Sequence, residues 1–506
     1  MTIFGTTQRY VDIPREPPEE RTVEARLHDF QEIAARLSEQ EARRQASRCE
    51  QCGVPYCHIY CPLHNNIPDW LRLTAEGRFE EAYRLAESTN NLPEICGRIC
   101  PQDRLCEAKW ACTLEQAGHG TVTIGAVEQF LGDLAFENGW ARPRIPRVER
   151  QHHVGIVGAG PAGLAAAEEL RAHGYAVTLY DRHRLPGGLL RFGIPGFKLE
   201  KPAIDRRGQR VLAAGARFIG GFALGRDATL AELASRHDAI LLALGAYRAN
   251  RPALPGAGAG TLIDGLTYLL ASIQEPGAVL SDGVDLARLD ARGRRVIVIG
   301  GGDTAMDCVR TALRQACRGV VCLYRRGEFD RSGSRRELNK AQAEGVQVLW
   351  HTETESYLPN TITMVEAAVN ACSVDEGGRL VVRRRHANGY EIDRRTIAAD
   401  MIITATGSQP DLPAAYGADG LIANGNGVVR VDPETGATNL PGVFAAGDLS
   451  RGPSLAVWAI RDGRAAAAGI HRHLSANPAA GHNSKIVAPS PAPLAAALMH
   501  EIGTVP

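Results

Sequence analysis

The sequence predicts an α/β protein in which a helical, cysteine-rich N-terminal domain precedes two Rossmann-like dinucleotide-binding domains, the second inserted in the first. Three observations predict it. Eight cysteines fall in two runs within the first 112 residues: Cys49, Cys52, Cys57 and Cys61, then Cys96, Cys100, Cys106 and Cys112. A strand, a glycine turn, an alanine-rich helix and a second strand succeed one another in HHVGIVGAGPAGLAAAEELRAHGYAVTLYDRH (152–183). The same grammar returns in RRVIVIGGGDTAMDCVRTALRQACRGVVCLYRR (294–326), and alternation of this kind builds parallel sheets.

Composition sets the frame. With 506 residues, 57 basic and 57 acidic, the chain has room for several cores and no net charge to draw it to nucleic acid or a membrane surface. No stretch suits a signal peptide or a bilayer span, so the expected location is cytoplasmic. There, clustered cysteines serve metals or redox chemistry more often than disulfides.

The first domain is expected at 1–150. A proline-rich, charged arm (1–20) leads to a helix over 24–48 and a helical pair around Gly77, and the hinge-like ARPRIPRVER closes the domain. The first dinucleotide domain is expected at 151–285 and 406–475, the second at 286–405, with crossover segments at 285–295 and 400–410. Segments 401–410 and 440–450 read as strands returning to the first of these domains, and 476–506 as a flexible tail.

In the first turn Gly158 permits the reversal, Gly160 lets the backbone approach a pyrophosphate, and Gly163 lets the helix pack on its strand. Asp181 ends the next strand, where a carboxylate meets a ribose diol. Gly188 and Leu189 in a second bare turn, with Gly447 and Asp448 after a small-residue strand, suit FAD. A helix from Leu455 aims its positive end at the flavin ring. The second turn is Gly300-x-Gly302-x-x-Ala305, with Asp303 and Thr304 opening its helix, and no acid closes the next strand. That strand runs into Tyr324-Arg325-Arg326, where guanidinium groups match a ribose 2′-phosphate, and Arg335 and Arg336 are expected to join the clamp. The expected ligand is therefore NADPH; the plainer reading is a solvated arginine cluster. Hydride transfer to flavin needs stacking and orientation, so no catalytic side chain is expected.

Separations of two, four and three residues, with proline after Cys61, fit cluster ligands better than paired zinc knuckles, zinc being the plainer alternative. A flavin converts a hydride into single electrons and clusters take electrons singly, so the three groups form a chain. The full prediction is an N-terminal α-helical iron–sulfur domain followed by the two dinucleotide domains. Cys308, Cys317, Cys322 and Cys372 are expected to be buried and without redox function.

CGRICPQDRLCE (96–107), GGLLRFGIPGFKLEK (187–201), GGGDTAMDCVRT (300–311) and YRR with GSRRE (324–326, 333–337) resemble the NADPH-dependent glutamate synthase small (β) subunit. The resemblance implies FAD, two 4Fe-4S clusters and a separate large (α) subunit that makes L-glutamate from glutamine and 2-oxoglutarate. A more distant resemblance, to the flavin and iron–sulfur arm of dihydropyrimidine dehydrogenase, implies interleaved ligands. Cys49, Cys52, Cys57 and Cys112 then hold one cluster; Cys61, Cys100, Cys106 and Glu128 hold the other, without Cys96. One run per cluster is the simpler rule and uses Cys96 in place of Glu128; the interleaved set is preferred. In the family three residues separate the last two cysteines. Here five do, and a bulge at Lys109 and Trp110 is the expected accommodation. A chain beginning Met1-Thr2 and lacking a synthase barrel is expected to act alone only as a diaphorase. The competing readings are an NADP(H)–ferredoxin oxidoreductase subunit and a redox sensor without turnover.

Overall fold

The computed structural model describes residues 9–258, 261–273, 275–280, 285–358, 361–366, 372–374, 380–382, 393–412 and 420–476; the expected tail lies outside them beyond Ala476. Helices Ile67–Glu76 and Phe79–Thr89 meet at Gly77, whose left-handed φ of 82° ends the first of them. With Glu39–Ala46 and Ile124–Glu137 they bury Trp70, Leu71 and Phe130, none more than 1% exposed. Each such side chain contributes roughly 1.5–3 kcal/mol on leaving water.

The continuous helix expected over 24–48 is interrupted. Val23–Leu27 and Glu39–Ala46 are helical, and the residues between are not. The second helix starts afresh because Ser38 and Glu41 close a capping box. The intervening backbone pairs with the arm instead, Arg21 N donating to Ile33 O (2.9 Å) and Ala35 N to Glu19 O (2.8 Å).

Two parallel sheets of five strands follow. The first runs Val443–Ala445, Ala239–Leu242, His153–Val157, Ala176–Asp181, Arg217–Gly220. The second runs Leu262–Asp264, Met401–Thr404, Arg295–Ile299, Gly319–Leu323, Gln347–Leu349. In both, the strand that precedes the glycine turn is central. Each turn therefore lies at the carboxyl edge of its sheet, at the switch point where open α/β sheets bind ligands.

The second domain is inserted in the first, but the join differs from the expected one. One crossover strand, Ser408–Gln409, falls within the expected 400–410, but its antiparallel partner is Arg248–Ala249 rather than 285–295. Strand Leu262–Asp264 hydrogen-bonds into the second sheet, and helix Gly265–Ile273 buries Tyr268 and Leu269 against Met306 and Val309. The boundary set at 285/286 thus belongs at the Arg248–Ala249 crossover. Met401–Thr404, expected to return to the first domain, is also a strand of the second sheet. An antiparallel sheet of Thr352–Leu358, Thr361–Glu366 and Asp393–Ala398, which sequence patterning did not announce, extends the second domain.

Buried ion pairs fix the three domains to one another. Arg207 on helix Lys201–Ala213 makes a two-point contact, 2.7 and 3.0 Å, with Glu94 on helix Pro93–Ile99 of the first domain. Glu344 of the second domain accepts Arg310 and Arg314 and pairs with Arg26 of the N-terminal segment. Such pairs specify a docking geometry more than they add net stability. Among the described residues, no helix is long and apolar enough to cross a membrane.

Candidate functional site

The first glycine turn is tight because side chains cannot fit in it. Gly158 has a φ of 109°, and a Cβ there would lie 2.1 Å from the carbonyl oxygen of Ala243. A Cβ on Gly163 would lie 1.9 Å from the carbonyl oxygen of Gly158. Gly163→Ala is therefore expected to cost about 3 kcal/mol, the upper end for an overpacked site, as a lower urea midpoint with unchanged m-value. An unchanged midpoint would show that turn and helix separate freely.

This turn opens on a cavity of about 340 Å3 lined by Gly158, Gly160, Asp181, Gly188, Leu189, Gly447 and Asp448. Gly163 packs behind it. Asp181 accepts from Ala159 N (2.7 Å) and His183 N (2.8 Å), so its carboxylate braces the turn as well as facing the cavity. The long helix Ala456–Ala476 starts at the cavity wall, with Leu455 and Ala456 lining it. Sequence patterning missed Arg182, stacked 3.7 Å over the Tyr247 ring, and Lys198, which donates to Asp307 (2.8 Å). Burial works against the Lys198 charge, but Asp307 and Glu337 hold its pKa above the ordinary lysine value. Its place in GGLLRFGIPGFKLEK was the one available signal.

Burial pushes the Asp448 carboxyl up to about 6, against opposing hydrogen bonds from Ser454. A raised acid destabilises the fold when ionised. In the ligand-free chain Asp448→Asn is therefore expected to add about 2–3 kcal/mol above pH 6, fading to nothing below about pH 4, where the acid is neutral in both states. Urea midpoints across that range test it; a gain that persists at low pH contradicts it.

The second turn opens on a cavity of about 620 Å3 lined by Gly300, Gly302, Thr304, Arg325 and Arg326, with Arg251 as an unforeseen cation. Asp303 lines the first cavity instead, and Thr304 lines both. The two cavities thus share one wall at the start of helix Asp303–Arg314.

Arg335 and Arg336 do not join the clamp. Ser334 caps helix Arg335–Ala343, so both arginines occupy its first turn, which faces the cysteine domain. Arg336 donates to Gln102 Oε1 (2.7 Å) and to the carbonyl oxygens of Cys100 (3.2 Å) and Arg98 (3.3 Å). Arg335 is exposed, and its backbone N–H donates to Asp103 (2.9 Å).

The cysteines sort across the two runs. Cys49, Cys52, Cys57 and Cys112 line a small void of about 30 Å3 together with Tyr56, Leu71 and Ile124. Cys61 sits within electrostatic reach of Cys96 and Glu128, and Cys100 within that of Cys96, Cys106 and Glu128. Cys61 closes helix Tyr56–Tyr60 and packs in one apolar cluster with Cys96 and Cys100, whereas Cys112 lines the void of the first run. Asn90 stands between the two candidates for the last place, donating to Glu128 Oε1 (2.9 Å) and accepting from Cys96 Sγ (3.7 Å). Lys109 and Trp110 are looped out to solvent, and Cys112 N folds back on Ala108 O (3.2 Å), so the bulge delivers Cys112 to its group.

Burial pushes the thiols of Cys49, Cys57 and Cys61 up to about 12, and the Glu128 carboxyl up to about 8. Without a cation these buried thiols stay protonated; four cysteines about one void are a donor set that fits metal-cluster ligation. Among the described residues, no three His, Cys, Asp or Glu side chains converge tightly enough to share one ion. Cys308 and Cys322 are buried in the second domain and Cys317 half-buried; the Cys372 side chain lies outside the described residues.

Fold and site together define a pyridine-nucleotide oxidoreductase fronted by an iron–sulfur domain. Residues 26–140 match the family model of dihydropyrimidine dehydrogenase domain II, 4Fe-4S cluster, and residues 152–463 that of pyridine nucleotide-disulphide oxidoreductase. The glutamate synthase (NADPH) small chain of Azospirillum brasilense is 48% identical over 92% of this chain and 96% of its own. That of Escherichia coli K12 is 40% identical over 91% and 98%. The chain belongs to the glutamate synthase (NADPH) small chain family and is an NADPH-dependent oxidoreductase, the electron-input subunit of its system. Among solved structures, Mycobacterium tuberculosis FprA in complex with NADPH shares the fold, with a TM-score of 0.53 and 18% identity over 65% of this chain and 86% of that one.

Proposed function

We propose that the chain takes electrons from NADPH at the second cavity, holds FAD in the first, and passes electrons through two 4Fe-4S clusters to a large subunit. That partner would make L-glutamate from glutamine and 2-oxoglutarate. Bound FAD supplies the change from hydride to single electrons, and the clusters supply one-electron carriage.

The observation that carries this reading is the spatial order of the sites. Thr304 lines both cavities, so a nicotinamide held by Gly300, Gly302 and Arg325 would lie against the wall of the first. Leu190, Leu455 and Ala456 line the first cavity and pack in one apolar cluster with Cys61, Cys96 and Cys100. Cys106 in turn lies within electrostatic reach of Cys57, a member of the outer group. Apolar packing thus runs from the first cavity to Cys61, Cys96 and Cys100. Asp181, Asp448 and Lys198 position the first ligand, with no side chain required to move a proton.

In this reading Cys49, Cys52, Cys57 and Cys112 hold the outer cluster, and Cys61, Cys100, Cys106 and Glu128 the inner one. Anaerobically purified chain is then expected to carry about eight irons and to lose its flavin absorbance on adding NADPH. About four irons, or a flavin that NADPH leaves oxidised, contradicts it. A ferredoxin-coupled role is the second reading. Reduction of ferredoxin by NADPH without glutamine or 2-oxoglutarate would favour it.

A further inference from the structure

Between the second nucleotide turn and the inner cysteine group runs a short loop, 332–336, whose polar groups are engaged on both sides. Toward the nucleotide, Ser332 lines the 620 Å3 cavity and Ser334 N donates to Asp303 Oδ1 (2.8 Å), the first residue of the helix that follows the turn. Toward the cysteines, Ser334 Oγ and Arg335 N both donate to Asp103 (2.9 Å each), and Arg104 donates to the carbonyl oxygen of Ser332. Asp103 and Arg104 belong to the short helix Gln102–Arg104, which lies between Cys100 and Cys106 in the chain. Gln102 is buried, and its amide donates to Cys96 O (3.2 Å) and Gly97 O (2.9 Å).

We infer that this loop is a strap coupling the nicotinamide site to the inner cluster, with Arg336 as a positioning residue for the Cys100–Cys106 ligand loop. The guanidinium spans three acceptors, Gln102 Oε1 and the carbonyl oxygens of Cys100 and Arg98, so it fixes the backbone that presents Cys100. It also places a permanent positive charge beside a ligand residue. Cluster potentials respond to nearby charge and hydrogen bonding, and a cation favours the reduced, more negative state. A nucleotide seated on Gly302 meets Ser332 on the same cavity wall, and the strap carries that contact through Ser334 and Asp103 to the same ligand loop. The inference rests on Cys61, Cys100 and Cys106 holding a cluster.

The test uses full-length holo-chain purified anaerobically. Arg336→Gln is expected to lower the reduction potential of one cluster in a potentiometric titration, to leave the other in place, and to change NADPH-over-NADH preference in kcat/KM less than about twofold, since the group does not touch the nucleotide. Arg336→Lys, which keeps the charge, is expected to restore most of the potential. NADP+ added to the oxidised protein is expected to alter the visible circular dichroism of the clusters. That response should vanish in both Arg336→Gln and Asp103→Asn, the second serving if the first fails to fold. Unchanged potential in Arg336→Gln, or a preference that falls tenfold or more, overturns the inference while leaving the electron route intact. Wild-type protein without iron overturns both.

Discussion

Replacing Cys112 with serine is expected to remove about half of the bound iron while leaving NADPH-driven bleaching of the flavin intact. Cys112 belongs to the second cysteine run, yet it shares its void with Cys49, Cys52 and Cys57 of the first. None of these four lines the nucleotide cavities, so hydride transfer does not pass through them. Delivery to a large subunit or another one-electron acceptor is expected to fall at least about a hundredfold, because removal of one ligand of a buried set leaves the others without their cation. Iron analysis and stopped-flow flavin reduction on the same preparation check it. Loss of all iron would mean that the two groups do not assemble separately. Full iron with full acceptor reduction would remove Cys112 from the ligand set.

The second large effect belongs to Arg325 and Arg326. The double change Arg325→Ala, Arg326→Ala is expected to cut the NADPH-over-NADH ratio of kcat/KM about a hundredfold, the loss of two hydrogen bonds to a charged phosphate at about 1.5 kcal/mol each. Both residues line the second cavity, beyond the strand that ends at Leu323. The fall should come from NADPH, with the NADH value nearly unmoved, because only the former carries the 2′-phosphate. Steady-state kinetics with both nucleotides read it directly. An equal loss for both would make the arginines general supports of the groove, and Arg251, on the same wall, would become the candidate for phosphate recognition.

How much of this was legible depended on the range over which each feature is encoded. The glycine turns were readable because Gly158, Gly163 and Gly300 answer to contacts within a few residues or across one strand, and their spacing is fixed by the strand–turn–helix unit. The eight cysteines were readable as ligands for the same reason, but their pairing was not. Cys112 meets Cys49 across four α-helices and one short 3-10 helix that lie between them in the chain, and the interleaving came from resemblance rather than from spacing. Leu262–Asp264 was missed because three residues are too few to show a strand period; only its pairing with Met401–Thr404 assigns it. Arg336 misled because it lies near Arg326 in sequence, whereas a new helix start at Ser334 turns it toward Cys100. The Lys198–Asp307 pair crosses 109 positions and left no local trace beyond its motif.

The central claim is that these cofactor sites form one route ending at a large subunit. The most direct test combines the anaerobic holo-chain with the large chain from the same host and follows NADPH oxidation and glutamate together. The two chains are expected to co-purify, oxidation to require glutamine and 2-oxoglutarate together, and Cys112→Ser to abolish glutamate formation while flavin reduction survives. NADPH oxidation that ignores both substrates but proceeds with added ferredoxin would contradict the claim and place the chain's acceptor elsewhere.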